Sequence, residues 1–147
     1  MIVGRFGDTS RRPYINGYVV IPSLGARSNV SFIVDTGADR CVLMPMDGAL
    51  FGIDYSRLTN TSLSLGIGGL SKDYVEPAVI AFVEDNKTLH AFSIDLILSS
   101  PSPDIMTVPS LLGRNILDRW RITYWPAGAT LVADVISSDL AIPPMAT

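Results

Sequence analysis

The sequence predicts a mostly β fold: a closed β-barrel of short strands with one or two short helices. Three observations carry that expectation. Runs rich in β-branched and aromatic residues recur along the chain, as in Tyr14–Pro22, Val30–Val34, Tyr74–Val83 and Thr88–Leu98. Turn-forming and polar clusters separate them. Apolar residues at helical spacing occur only around Met46–Leu58 and Ile116–Trp120. Short strands joined by tight turns are the pattern of a barrel that buries one face of each strand.

The 147 residues fit one domain, taken as residues 1–147, with 137–147 expected to be a loose tail. Hydrophobic residues make up 48% and charged residues 17%, a balance that favours a folded chain over disorder. The net charge of −3, with no basic run, gives no sign of nucleic acid as a partner. The lone cysteine excludes an intrachain disulfide, and with one histidine it cannot make a usual zinc site, so no metal or other cofactor is expected. No apolar stretch is long enough to span a membrane, and Met1–Arg12 lacks the apolar core of a signal peptide. A cytoplasmic location is the expectation.

In chain order, Tyr14–Pro22 is the opening strand. It contains Asn16-Gly17, a strong turn pair that a strand can also carry through with a bulge. Ser23–Asn29 is polar and reads as a hairpin loop, and Val30–Val34 is the returning strand. That strand runs into Asp35-Thr36-Gly37-Ala38-Asp39, an acid at the end of an apolar run. A carboxylate there is costly to desolvate and needs a partner or a task. Gly37 permits a sharp turn and Thr36 supplies a hydroxyl that donates and accepts. Read alone, the tripeptide is equally a plain strand with an Asp-containing turn. Cys41–Met44 is a second buried strand, and Cys41 among apolar neighbours is an inert core residue. Pro45–Leu58 is a short helix or turn.

Ser62–Leu70 holds Gly66-Ile67-Gly68-Gly69 between two strand-like runs. It lacks the third glycine and following helix of a dinucleotide loop, so it reads as a β-hairpin tip, either plain surface or a lid over a ligand. Thr88–Leu98 is a further strand, with His90 expected at the surface or an edge. Ser99–Pro109 is a proline-rich loop. Leu111-Leu112-Gly113-Arg114-Asn115-Ile116-Leu117 reads as a strand turning into a short helix, where Gly113 allows close packing. Arg114 beside a buried element either finds an anionic partner or reaches to solvent. Arg121–Trp125 and Thr130–Ile136 are strands joined by a turn at Pro126–Ala129.

Four motifs in one order resemble the retropepsins, the single-domain aspartic proteases of retroviral type. They are Arg12-Pro13, Asp35-Thr36-Gly37-Ala38-Asp39, Gly66-Ile67-Gly68-Gly69 and Leu111-Leu112-Gly113-Arg114-Asn115. The resemblance spans roughly Arg12 to Trp125 and implies a barrel of the acid-protease type. Viral enzymes of this kind end after one strand, whereas this chain continues through Thr130–Ile136, which points to a free-standing bacterial relative.

The chemistry of that family requires two carboxylates, and only Asp35 is followed by Thr-Gly. The resemblance therefore implies a homodimer in which two copies of Asp35 meet on a two-fold axis and hydrolyse a peptide or protein substrate. It also implies supporting roles. Thr36 bonds across the axis, and Gly37 and Asp39 bind substrate. Ala38, where many relatives carry serine, leaves the acid pair more basic. Asp39 pairs with Arg114, with Arg12 a candidate third member. Gly66, Ile67, Gly68 and Gly69 form a flap. The alternative is a catalytically idle dimeric peptide-binding module on the same fold.

Overall fold

A computed structural model describes residues 1–66 and 69–146, with side chains except those of residues 63–71. The strands are β1 (Ile2–Val3), β2 (Arg5–Gly7), β3 (Arg12–Ile21), β4 (Ala26–Val34), β5 (Val42–Leu43), β6 (Thr61–Gly66), β7 (Gly69–Val83), β8 (Leu89–Leu98), β9 (Leu111–Leu112), β10 (Trp120–Trp125), β11 (Thr130–Val135) and β12 (Leu140–Ile142). Helix α1 (Pro45–Phe51) follows β5, and the single turn α2 (Arg114–Leu117) follows β9.

Alternation along β3 puts Ile15, Val19 and Ile21 inside, while Asn16 and Tyr18 face out. The Asn16-Gly17 pair makes no turn: the strand runs straight through it, with Gly17 opposite Val30. Space explains the glycine, because a Cβ there would lie 3.0 Å from both Ile80 and Phe82 and 3.2 Å from Phe32. Tertiary crowding, not turn chemistry, selects this residue. The loop expected over Ser23–Asn29 is shorter than its polarity implies. A 3-10 turn at Pro22–Leu24 and Gly25 complete it, and Arg27–Asn29 already pair in the β3–β4 ladder.

Pairing follows a circuit. Strand β3 pairs with β4, β4 with β9 in parallel, β9 with β5, β5 with β8 in parallel, β8 with β7, and β7 with β3 again. The circuit wraps a core that includes Phe32, Phe82, Phe92, Leu43, Leu98 and Leu112. A second sheet, in the order β1-β11-β10, packs beside it. Trp120 joins the two. Its ring meets Phe82 edge to face at 4.8 Å and Phe92 at 5.9 Å, a favoured aromatic geometry.

The chain ends are more ordered than their composition implies. Leu140–Ile142 form β12 on β8, within the stretch expected as a loose tail, and Asp139 accepts from the Ser93 N–H and the Arg119 guanidinium. His90 is not an edge residue, because β8 is covered by β7 on one side and β12 on the other. Its ring is largely buried, bonded to Glu84 and to Ser138 Oγ. Among the described residues, no helix is long and apolar enough to cross a membrane.

Candidate active site

Asp35 stands where β4 leaves the barrel. The parallel ladder with β9 sets its position: the Ile33 N–H donates to Ser110 O at 2.9 Å and the Asp35 N–H to Leu112 O at 3.1 Å. The chain then turns sharply. The Gly37 N–H donates to Asp35 Oδ1 at 2.9 Å, and the Ala38 N–H donates to Asp35 O at 3.2 Å. This side-chain bond to the residue two ahead is the usual way an aspartate closes a tight turn. It also aims the carboxylate. Asp35 is half-buried in the single chain and Thr36 and Gly37 are exposed, so the acid is less desolvated than its apolar strand implies.

A second segment braces the turn. The Arg114 N–H donates to Ala38 O at 2.8 Å and the Asn115 N–H to Asp39 O at 3.2 Å. Asn115 Oδ1 accepts from the Cys41 N–H at 3.0 Å, and the Gly113 N–H points at Cys41 Sγ at 3.3 Å. Residues 38–41 are thus held along the start of α2 mainly by main-chain groups. Gly113 is required by this approach: a Cβ there would run into the backbone of Arg40 and Cys41. The Gly113 backbone is extended, so close packing and not an unusual φ demands glycine. Burial pushes the Cys41 thiol up to about 12, in keeping with an inert core residue.

Arg114 and Asp39 do form an ion pair, but an exposed one, with side chains 46% and 82% accessible. Arg114 thus finds an anionic partner and reaches solvent as well: α2 buries Ile116 and Leu117 and leaves its first residue at the surface. Arg12 is not its third member. It pairs with Asp8 at 3.0 Å, in a local cluster where Ser10 and Tyr14 also bond Asp8. Spacing alone underrated two other residues. Asn115 lies inside the Leu-Leu-Gly-Arg-Asn motif, which was its signal. Ser110, fully buried, accepts from the Met44 N–H at 2.9 Å and donates to Asp47 Oδ2 at 2.5 Å, and nothing in the sequence marks it.

Two hollows flank the acid turn. One, of about 470 Å³, is lined by Pro13, Val34, Thr36, Ile122 and Tyr124. The other, of about 520 Å³, is lined by Asp39, Arg40, Ser93, Ile94, Asp95 and Asn115. The β6–β7 hairpin is paired to its end, with Gly66 opposite Gly69. Ile67 and Gly68 of the expected flap lie outside the described residues. Among the described residues, no group of three or more His, Cys, Asp or Glu side chains could hold a metal ion.

Comparison with known proteins bears on the family and the fold. The family model for the retroviral aspartyl protease matches residues 10–124. A retropepsin-like aspartic protease from Rickettsia conorii is similar in structure, with a TM-score of 0.54 and 23% identity over 88% of this chain and 95% of that one. The EIAV protease, solved in complex with the inhibitor HBY-793, is similar with a TM-score of 0.50 and 18% identity over 86% of this chain and 97% of that one. No curated protein sequence matches the chain at a significant level.

Proposed function

We propose, from the premise that this chain belongs to the retroviral aspartyl protease family, that it is a homodimeric aspartic endopeptidase with Asp35 as its catalytic residue. One observation supports this above the rest: a single Asp-Thr-Gly turn, braced from behind by main-chain bonds and open in front. A braced and open carboxylate suits a group that must meet both a substrate and its own copy.

In this reading two Asp35 carboxylates, one from each subunit, share one proton, because two like charges about 3 Å apart do not both ionise easily. The ionised carboxylate takes a proton from a water molecule as the water oxygen attacks the scissile carbonyl carbon. The protonated carboxyl gives its proton to the carbonyl oxygen. As the tetrahedral diol collapses, the C–N bond breaks, the leaving nitrogen takes the proton that the first carboxylate drew from water, and a diol hydroxyl returns its proton to the ionised carboxylate, so the pair again holds one proton. Thr36, exposed beside Asp35, holds the two turns level by bonding across the axis. The carbonyl of Gly37 and the main chain of Asp39 hold the peptide backbone. Gly66 to Gly69 close over it as a flap and exclude water. Arg114 keeps Asp39 in place, and peptide side chains enter the hollow lined by Asp39, Arg40 and Ile94.

The test is cleavage of a peptide library across pH, with and without pepstatin, for the wild type and Asp35→Asn. Wild-type cleavage should be pepstatin-sensitive, best on the acidic side of neutral, and fall in specific activity on dilution below the dimer dissociation constant. Asp35→Asn should cut nothing at any pH and still bind peptide in part. Cleavage near the wild-type rate by a pure, dimeric Asp35→Asn protein would place the acid elsewhere. Binding without cleavage by the wild type would mark an idle module instead.

A further inference from the structure

One wall of the hollow beside Asp39 is an uncovered stretch of strand edge. We infer that this edge, on β8 at Ser93–Asp95, takes the flank of the peptide substrate as a short added strand, so that a peptide held at the acid turn is also bound beyond it. The inference rests on the reading of the Asp35 turn as a peptide-cleaving half-site.

The direction of the main-chain groups shows what is uncovered. Strand β7 pairs with every residue of β8 from Leu89 to Leu98. Strands β12 and β5 therefore share the other edge, β12 at Leu89–Ala91 and β5 at Ile97–Leu98. Between them that edge carries no strand among the described residues. Asp95 lies opposite Pro77, which has no N–H to give, so the main-chain groups of this pair turn away from each other. Residues two apart repeat the direction. The Ile97 N–H donates to Cys41 O at 3.2 Å and the Ser93 N–H to Asp139 Oδ2 at 2.8 Å, both on the far edge. Asp95, between them, points its N–H and C=O the same way, as Ser93 does its C=O.

Asn115 is the reason the edge stays open. A parallel ladder continued from β5 would join the Cys41 N–H to Asp95 O and the Asp95 N–H to Asp39 O. Asn115 takes both partners: its Oδ1 accepts from Cys41 N–H at 3.0 Å, and its own N–H donates to Asp39 O at 3.2 Å. What remains is a hollow of about 520 Å³, with Asp39, Arg40 and Asn115 on one wall and Ser93, Ile94 and Asp95 on the other. From Ser93 to Ile97 the edge runs about 13 Å, room for roughly three or four extended residues. An open edge of this kind is the surface on which extended peptides add, because main-chain bonds hold them.

Its place and charge select the occupant. The hollow begins at Asp39, within the acid turn, so a peptide held there runs directly into it. Ser93, Ile94 and Asp95 also line a second hollow of about 330 Å³, with Pro22, Pro77 and Val79, which carries the surface onward. Asp39 is paired with Arg114, which leaves Arg40 without an ion pair among the described residues. Arg40 and Asp95 stand on opposite walls with opposite charge. The fitting flank carries an acidic side chain for Arg40 and a basic one for Asp95.

Hydrogen exchange of the full-length Asp35→Asn protein tests this residue by residue. In the free protein the Asp95 amide should exchange at least about tenfold faster than those of Ile94 and Leu96, whose N–H groups turn toward β7. The probe is the tightest-binding member of a random peptide library. At saturation it should slow Asp95 exchange at least about tenfold, and N-methylation of alternate residues in its flank should abolish that slowing. Selection on Arg40→Glu should replace the acidic residue of the flank with a basic one. An Asp95 amide as protected in the free protein as its neighbours overturns the inference, as does a library from which nothing binds. An Arg40→Glu protein that selects the same flank overturns the role of Arg40. The two readings separate cleanly. Wild-type cleavage of a peptide that leaves Asp95 exchange unchanged refutes the docking edge and leaves the peptidase standing. Protection of Asp95 by a peptide that the wild type never cleaves refutes the peptidase and leaves the docking edge standing.

Discussion

Gly113→Ala should be among the most damaging single-methyl additions in this protein. The added Cβ would lie 2.9 Å from Cys41 N and closer still to the carbonyl of Arg40. Neither obstacle is a flexible side-chain end. Both belong to backbone held by Arg114 N–H on Ala38 O at 2.8 Å, Asn115 N–H on Asp39 O at 3.2 Å and Cys41 N–H on Asn115 Oδ1 at 3.0 Å. Overpacking typically costs about 1–3 kcal/mol, and a pinned backbone argues for the upper end, about 3 kcal/mol. For a domain of this size each kcal/mol moves Tm by about 2–4 °C, so a fall of about 6–12 °C is expected. Thermal unfolding followed by circular dichroism measures it. Gly25→Ala is the comparison. It adds a methyl in open space at φ +60°, so its cost, about 1 kcal/mol, comes from backbone conformation alone. A Gly113→Ala protein melting within about 2 °C of the wild type would refute the close-approach argument, and with it the claim that α2 braces the acid turn.

Arg114→Ala should cost little in the isolated chain, no more than about 1 kcal/mol, because its pair with Asp39 is exposed and the main-chain bonds of the turn remain. A loss above about 3 kcal/mol in urea unfolding would mean that the pair is buried in the working assembly. Asp139 gives a pH test. The Ser93 N–H, and after it the Arg119 guanidinium, hold its carboxyl below the ordinary value of 3.8. A lowered folded pKa contributes stability that is present above the unfolded value and lost as pH falls through the folded one. Asp139→Asn should therefore lower the urea midpoint at pH 7 and match the wild type near pH 2. An offset that stays constant across pH would show that this carboxylate does not anchor β12.

The acid turn was legible because its geometry is local. Asp35, Gly37 and Ala38 close it among themselves through bonds two and three residues long, so residue identity and order suffice. Two hairpins were legible as well, the β3–β4 one with a shorter loop than the expected Ser23–Asn29, and the β6–β7 one, paired as far as Gly66 and Gly69. Gly113 was readable as a close approach, although what approaches, the backbone of Arg40, belongs to a segment more than 70 residues earlier. Elsewhere local signals pointed the wrong way. Asn16-Gly17 has the composition of a turn, yet a strand passes through because Phe32 of β4 and Ile80 and Phe82 of β7 leave room for no side chain. Arg12 answered to Asp8, four residues back, instead of to the distant acid turn. Composition made 137–147 a tail, but an open edge on β8 and the anchors Ser93 and Arg119 order Asp139 and draw residues 140–142 into a strand. Arg114 is exposed because α2 is only one turn long and spends its apolar face on Ile116 and Leu117. Backbone preference and period are written within a few residues. Which edges are covered, and whether a charge ends in water, depends on contacts between segments far apart in the chain, and only the folded chain decides those.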